Sequence, residues 1–210
     1  MSIDPAQALA GLDKEIRICK RCDLFRDARC AVPGEGPVSA EIMFVGEGPG
    51  VNEDKQGRPF VGAAGKFLEE LLAAAGLTRA EVYITNVVKH RPPNNRDPLP
   101  EELAACGVWL NQQLDIINPR MVVTLGRHSL GTFLPGAMIS RSHGVLREKD
   151  GRFVYPMYHP AAALHRQALR DTLIDDMRKL GQFLQSPRWM RSADRTPEDE
   201  TPDQLTLFEI

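Results

Sequence analysis

Acidic and aromatic residues stand in a glycine-rich segment that follows the first β-type run of the sequence. The run Glu41–Gly46 leads into GEGPGVNEDKQGRPFVGAAG, where glycines let backbone N–H groups approach a ligand closely. A simple turn does not need Glu47, Glu53 or Phe60, and a Phe beside acids and free N–H groups could hold a flat polar ring. The alternative is a long surface loop that leads into a helix at Ala64.

An amide and an imidazole lie at the ends of two further β-type runs. Asn86 interrupts the β-branched run Val82–Val88, and its amide can make paired hydrogen bonds to the edge of a nucleobase. His159 follows the run Phe153–Tyr158 and precedes Pro160, which favours extended backbone at the histidine. The alternatives are an Asn that ties down its own loop and a structural histidine.

The cysteine spacing predicts a metal centre. Cys19 and Cys22 form a CxxC at the end of an N-terminal helical stretch, and no strand precedes it as a thioredoxin site would require. Cys106 lies on a predicted helix, and His90 lies sixteen residues earlier in a loop that leaves a strand. Zinc and iron-sulfur clusters both accept a CxxC with two remote ligands, and Cys30 is a further candidate.

The elements that must position these residues alternate between strand and helix. This alternation predicts one α/β domain with a central, mostly parallel four-stranded sheet and helices on both faces. Ligands bind beyond the carboxyl ends of strands in such sheets, which is where the residues above stand. A turn at 149–151 predicts a hairpin between Gly144–Glu148 and the Phe153 strand. The predicted strands are Glu41–Gly46, Val82–Val88, Met121–Gly126 and Phe153–Tyr158, and the predicted helices are Ala64–Gly76, Pro100–Asn118 and Gln167–Gln185.

Length and composition restrict the class of protein. A chain of 210 residues, 42% apolar and 26% charged, is typical of one globular domain and excludes a disordered or fibrous protein. The first residues carry no apolar run behind their charges, so we expect a cytosolic location. After Ser186 the apolar residues become rare, which predicts a domain over 1–185 and a flexible tail over 186–210.

Several motifs in register resemble those of the family 4 uracil-DNA glycosylases. They match in order across about residues 12–185 and comprise GEGPG at 46–50, GRPFVG at 57–62, ITNVVKHRPPNNRDPLPEE at 84–102 and HPAAALH at 159–165. The resemblance implies a uracil-DNA glycosylase-like fold and a 4Fe-4S cluster. It also implies hydrolysis of the N-glycosidic bond of deoxyuridine in DNA, a base excision repair reaction that leaves an abasic site.

The resemblance also implies roles for the residues after the strands. Phe60 would stack on the flipped uracil, Asn86 would read its O4 and N3–H, and Glu53 would crowd C5 to exclude the thymine methyl group. His159 and the backbone N–H groups of the Glu47–Gly48 turn would stabilise the negative charge that develops on O2.

Two departures from the family pattern affect these expectations. More distant uracil-DNA glycosylases have Asp at the position of Gly48, which leaves Glu47 as the nearest group that could activate water. The family usually has Cys where this chain has His90. We therefore expect Cys19, Cys22, His90 and Cys106 as cluster ligands, with Cys30 as the rival fourth ligand.

A subgroup that attaches covalently to the abasic sugar shares the Lys89–His90 pair. Its basic insertion is absent, since RPPNNRDP follows directly, so we expect hydrolysis without covalent trapping. Two competing readings are a catalytically inactive iron-sulfur or zinc DNA-binding module and a nucleotide-binding enzyme. The second lacks the Lys and Ser that a phosphate loop requires.

The C-terminal peptide QLTLF resembles the QLxLF peptides by which bacterial repair proteins bind the sliding clamp. Its contact residues would be Gln204, Leu205, Leu207 and Phe208, and the alternative is that they fold back onto the domain. The expected partners are therefore uracil-containing DNA and a sliding clamp, with the protein itself a monomer.

Overall fold

Five strands form one sheet in the computed structural model, which describes residues 4–192. Their order across the sheet is β2-β1-β3-β5-β4. β1 pairs in parallel with β2 and β3, β3 pairs in parallel with β5, and β4 runs antiparallel at the edge. The strands are β1 Ile42–Gly46, β2 Tyr83–Asn86, β3 Met121–Leu125, β4 Arg147–Lys149 and β5 Arg152–Met157.

The predicted four-stranded sheet is thus one strand short. The fifth strand, β4, comes from the predicted hairpin, but it covers only Arg147–Lys149 instead of Gly144–Glu148. All three residues of β4 are exposed, so this edge strand carries no apolar signal. Asp150 and Gly151 close the hairpin with φ of +51° and +72°, as a tight hairpin turn requires.

Helices connect the strands and confirm the predicted α/β class. The three predicted helices correspond to α4, α5 and α8. No helix within residues 4–192 combines the length and the apolar character needed to cross a membrane. The helices are α1 Pro5–Arg17, α2 Leu24–Asp27, α3 Val51–Gln56, α4 Ala63–Ala74, α5 Pro100–Ile117, α6 Arg127–Phe133, α7 Ile139–Ser142, α8 Gln167–Leu184 and α9 Pro187–Ser192.

Both faces of the sheet are covered by helices. Successive strand residues point to opposite faces, so Phe44 packs with α4 and α8 whereas Met43 and Val45 pack with α1 and α5. Because both faces are buried, the parallel strands are continuous apolar runs without alternation.

The described chain extends beyond the predicted domain boundary at 185. Helix α9 places Trp189, which is 7% exposed, against Phe153 and Phe183 of the core. The guanidinium carbon of Arg120 lies 3.8 Å from the centroid of the indole. Residues 187–192 thus pack on the domain instead of belonging to a flexible tail, and the QLTLF peptide lies outside the described residues.

The carboxyl ends of the four parallel strands meet at one edge, here called the carboxyl edge. The Val87 N–H donates to the Gly46 carbonyl at 3.0 Å, and the Gly126 N–H donates to the Met157 carbonyl at 2.8 Å. The loops that leave these strands are thereby held side by side, and they carry the residues predicted to bind the ligand.

Candidate active site

A cavity of about 340 Å³ opens at the carboxyl edge. A volume of this size is typical of a small-molecule pocket. Four segments of the chain line it: the loop after β1, the end of β2, the loop before α5 and the segment after β5. The structure brings together all six residues predicted for the base-binding site, namely Glu47, Gly48, Glu53, Phe60, Asn86 and His159.

Asn86 presents an unsatisfied amide to the cavity. The residue is 1% exposed, and its Oδ1 atom has no hydrogen-bond partner within residues 4–192. Leaving a buried acceptor unpaired costs about 1–3 kcal/mol, so a ligand N–H would recover that free energy. A Cβ on the facing Gly46 would lie 2.3 Å from this Oδ1, so only glycine keeps the wall open.

Phe60 lines the cavity beside Asn86 in a strained backbone conformation. Its φ is +50°, a left-handed value that is rare for a bulky residue. Its ring stacks on the His159 imidazole with centroids 5.7 Å apart. Arg79 stabilises the conformation, because its Nη1 and Nη2 donate to the carbonyls of Phe60 at 3.1 Å and Pro59 at 2.5 Å.

Glu35 in turn fixes Arg79. Its carboxylate accepts from Arg58 Nε at 2.7 Å and from Arg79 Nε at 3.1 Å. The hydrogen bonds from Arg58 and then Arg79 lower the pKa of Glu35 to about 2 against the opposing effect of burial, so this acid stays ionised. Sequence reasoning missed Glu35 and Arg79, since both lie outside the motifs.

His159 is a neutral hydrogen-bond donor toward the cavity. Its Nδ1 accepts from the Ala161 N–H at 3.1 Å, which places the proton of the neutral ring on Nε2. Desolvation by the surrounding protein lowers the pKa of His159 to about 4, although the Glu53 carboxylate opposes the shift. At neutral pH the ring therefore offers an uncharged N–H donor.

The Glu53 carboxylate stabilises the glycine-rich loop by accepting hydrogen bonds from its backbone. One carboxylate oxygen accepts from the N–H groups of Val61 and Gly62 at 2.9 and 2.8 Å, and the other accepts from Gly50 at 3.1 Å. These bonds tie α3 to the segment that carries Phe60. The side chain still lines the cavity, as the sequence predicts.

Glu47 is the first residue after β1, and its carboxylate lies at the cavity wall. Burial raises its pKa. The backbone N–H groups of Glu47 and Gly48 donate no hydrogen bond to residues 4–192, so they remain available to a ligand. A Cβ on Gly48 would lie 2.7 Å from a methyl carbon of Val88, which explains why a glycine stands there.

Three of the predicted metal ligands pack together behind the cavity. Cys19, Cys22 and Cys106 belong to one apolar cluster with Trp109. The Trp109 Nε1–H donates to Cys19 Sγ at 3.2 Å, and the Lys89 N–H donates to Cys106 Sγ at 3.2 Å. Burial raises the pKa of Cys106 to about 11 and also raises that of Cys22.

This donor set fits an iron-sulfur cluster. Soft thiolates with N–H donors aimed at their sulfurs are what such clusters use, and a bound metal keeps buried thiols deprotonated. His90 directly follows Lys89, and burial lowers its pKa despite the Asp54 charge, so the imidazole is in the neutral form that binds metals. Cys30 instead donates its S–H to the Asp54 carbonyl at 2.9 Å.

Lys89 is a buried residue that sequence reasoning missed. It is 0% exposed, and its Nζ donates to Thr85 Oγ1, the Asn86 carbonyl and Gln113 Oε1 at 2.7–2.8 Å. Burial lowers its pKa to about 8. Lys89 thus links Asn86 to Cys106, because its Nζ bonds to the Asn86 carbonyl and its own backbone N–H bonds to the Cys106 sulfur. The available signal in the sequence was a lysine directly after the apolar pair Val87–Val88.

The loop before α5 and the start of α6 add a charged group beside Glu47 that was also missed. Asp97, Arg127 and His128 meet there, with His128 Nε2 3.8 Å from a Glu47 oxygen. The available signal was position, because Arg127 and His128 follow β3 at the carboxyl edge just as His159 follows β5.

Comparison with known proteins identifies the class that this fold and site define. Residues 33–179 match the family described as the Uracil DNA glycosylase superfamily, and the chain belongs to that superfamily. It is similar to the Type-4 uracil-DNA glycosylase of Sulfurisphaera tokodaii, with 47% identity over 86% of this chain and 87% of the relative.

Two further relatives carry the same name. The Type-4 uracil-DNA glycosylase of Archaeoglobus fulgidus is 47% identical over 84% of this chain and 94% of its own length. That of Thermotoga maritima is 44% identical over 82% and 93%. These relatives confirm the family resemblance predicted from the motifs.

Proposed function

We propose that this protein is a DNA repair hydrolase that flips uracil out of DNA and hydrolyses its N-glycosidic bond, leaving an abasic site. The buried, unpaired Oδ1 of Asn86 carries the proposal, because Asn86 lines the cavity together with Phe60 and His159. An inactive DNA-binding module of the same fold would not require a buried amide without a partner.

Base recognition follows from the groups in the cavity. Phe60 provides a stacking surface, and stacking of a base on an aromatic ring contributes about 1–3 kcal/mol. Asn86 Oδ1 accepts from uracil N3–H while its Nδ2 donates to O4. Cytosine presents the opposite pattern at both positions, so the same amide rejects it. Glu53, held rigidly by three backbone donors, excludes the thymine methyl group by crowding C5.

Bond cleavage then depends on stabilising the leaving uracil. The C1′–N1 bond breaks, and its electron pair stays on the base as negative charge at O2. His159 Nε2–H and the N–H groups of Glu47 and Gly48 donate to that oxygen, and one such donor is worth about 3 kcal/mol. A water oxygen bonds to C1′ and passes its proton to the Glu47 carboxylate, while the uracil anion takes a proton from solvent.

Cys19, Cys22, His90 and Cys106 would hold a 4Fe-4S cluster, with His90 in place of the usual fourth thiolate. When bound, it would supply iron–ligand bonds between the segment after α1, the loop after β2 and α5. The two N–H donors to the cysteine sulfurs and the neutral imidazole support this ligand set.

The C-terminal peptide at 204–208 would recruit the enzyme to a sliding clamp. Gln204, Leu205, Leu207 and Phe208 carry this part of the proposal through their resemblance to clamp-binding peptides. A tether of this kind raises the local concentration of the enzyme near DNA. The proposal includes a cytosolic location and action as a monomer.

Single-turnover excision tests the function. Wild-type protein should convert uracil-containing oligonucleotides into alkali-labile products and leave thymine controls intact. Asn86→Ala should lower the rate at least about 100-fold, because both edge contacts are lost. Asn111→Ala, an exposed amide on α5, is the matched control and should keep the wild-type rate. A wild-type protein that yields no abasic sites, or an Asn86→Ala variant at full rate, would overturn the proposal.

A further inference from the structure

A charged cluster lies behind Glu47, outside the residues that line the cavity. Asp97 comes from the loop before α5, and Arg127 and His128 are the first two residues of α6. His128 Nε2 lies 3.8 Å from Glu47 Oε2 and 3.4 Å from Asp97 Oδ1. The Arg127 guanidinium bonds to Asp97, and its Nε lies 3.2 Å from the same His128 nitrogen.

His128 links Glu47 to the ion pair between Asp97 and Arg127. Its Nε2 lies beside carboxylate oxygens of both Glu47 and Asp97, and the Arg127 Nε–H points at the same nitrogen. Charged groups within about 4–6 Å of a carboxyl alter the balance between its charged and neutral forms. The three side chains are therefore placed to act on the Glu47 carboxylate.

The surrounding charges act on Glu47 in opposite directions. Burial raises its pKa, as does the Asp97 carboxylate, whereas His128 and Arg127 lower it. The other ionisable groups that line the cavity are Glu53, Arg96 and His159. Glu53 is occupied by backbone N–H donors, Arg96 by Glu102, and His159 is neutral at pH 7.

We propose that His128, together with Asp97 and Arg127, is a positioning residue that orients the Glu47 carboxylate and keeps it ionised. The proposal rests on the proposed role of Glu47 in accepting the proton of the attacking water. A metal ion does not suit the same three side chains of Glu47, Asp97 and His128, because the Arg127 guanidinium already occupies Asp97.

The pH dependence of single-turnover uracil excision tests this role. His128→Asn removes a group that lowers the pKa of Glu47, so the acid limb of the profile should move up by about one pH unit. Asp97→Asn removes an anion, so the limb should move down. The excision rate of His128→Asn should be about tenfold below that of the wild type at one pH unit below the midpoint of the wild-type acid limb. The difference between the two rates should shrink as the pH rises.

Controls separate positioning from a structural effect. Glu47→Gln should abolish the limb, and Asp115→Asn, an exposed acid on α5, should leave the profile of the wild type unchanged. His128→Gln provides a second variant should His128→Asn fold poorly. Loss of rate by the same factor at every pH, or limbs that move in the same direction in the His128 and Asp97 variants, would overturn the proposal.

A second readout does not depend on excision. Carboxyl-¹³C-labelled glutamate reports the titration of Glu47 directly, with Glu47→Gln supplying the assignment. Opposite shifts in the two variants, in a protein that excises no uracil, would support the positioning role and defeat the proposed function. Normal excision with an unshifted Glu47 titration would defeat the positioning role alone.

Discussion

At the residue scale, the proposed chemistry depends on which ring nitrogen of His159 carries the proton. The Ala161 N–H occupies Nδ1, and the lowered pKa keeps the ring neutral, so Nε2–H is the donor in the proposed contact with the leaving base. In that role a neutral donor would stabilise the developing anion on uracil through a hydrogen bond. The proposed role of His159 therefore requires no change of its charge at neutral pH.

Substitution of His159 should reveal this donor. His159→Ala should lower single-turnover excision about 100-fold, since one donor to a developing oxyanion is worth about 3 kcal/mol. His159→Gln should recover part of the loss, because its amide N–H can donate from a similar distance. Rates measured on the same oligonucleotide check this, and equal rates in the two variants would argue against a donor role.

Position and motif made part of the site predictable. Phe60, Asn86 and His159 could be predicted because each follows a strand or stands in a recognisable motif, and the carboxyl edge brings them together. Arg79 and His128 could not, since their roles arise from contacts with residues 19 and 81 positions away. Such contacts leave no local pattern in a single sequence.

The loop between α3 and α4 shows how elements impose geometry on a residue. Phe60 adopts a left-handed backbone because Arg79 binds the carbonyls of Pro59 and Phe60. Gly65 permits the same turn, as a Cβ there would lie 1.9 Å from the Phe60 carbonyl oxygen. The ring proposed to stack on the base is therefore already held in position by the protein.

A pair of arginine variants isolates this effect. Arg79→Ala should weaken binding of a uracil-containing oligonucleotide about tenfold, because the Phe60 backbone loses two charge-assisted hydrogen bonds. Arg58→Ala is the matched control, since Arg58 pairs with the same Glu35 but contacts neither carbonyl. Equilibrium binding of both variants provides the test, and equal losses would show that only the Glu35 ion pairs matter.

The proposed cluster would join three segments of the chain, and metal content tests it. His90→Ala should lose most of its iron and its visible absorption, whereas Cys30→Ala should keep both, because the Cys30 thiol bonds to the Asp54 carbonyl. His90→Cys should restore iron by supplying a thiolate. Iron and sulfide quantification of the purified variants decides the fourth ligand, and full iron in His90→Ala would instead favour Cys30.

Burial decided which elements could be predicted. The strands β1, β2, β3 and β5 are buried apolar runs, so composition alone indicated them. The exposed β4 has no such pattern, and α9 is a short helix of mixed composition that is ordered by the packing of Trp189. The turn at 149–151 predicted the hairpin that contains β4 but not the bounds of that strand. Helix α9 was missed because tertiary contacts, not local sequence, stabilise it.

At the scale of the whole molecule, chemistry and recruitment are proposed to reside in separate parts of the chain. Truncation after Asp203 should abolish binding to a bacterial sliding clamp measured by calorimetry. Excision on short oligonucleotides should stay at the wild-type rate, because the described residues 4–192 contain the complete cavity. Undiminished clamp affinity in the truncated protein would refute the recruitment role.

Trp189 also fixes where the described part of the chain ends on the domain. It packs against Arg120 and Phe153, which stand at the amino ends of β3 and β5 and thus on the side of the sheet opposite the cavity. A segment of eleven residues, the number between 192 and Gln204, spans at most about 40 Å when fully extended. Under the proposed recruitment role, a change in the length of this segment would alter the reach to the clamp without narrowing the path by which DNA enters the cavity.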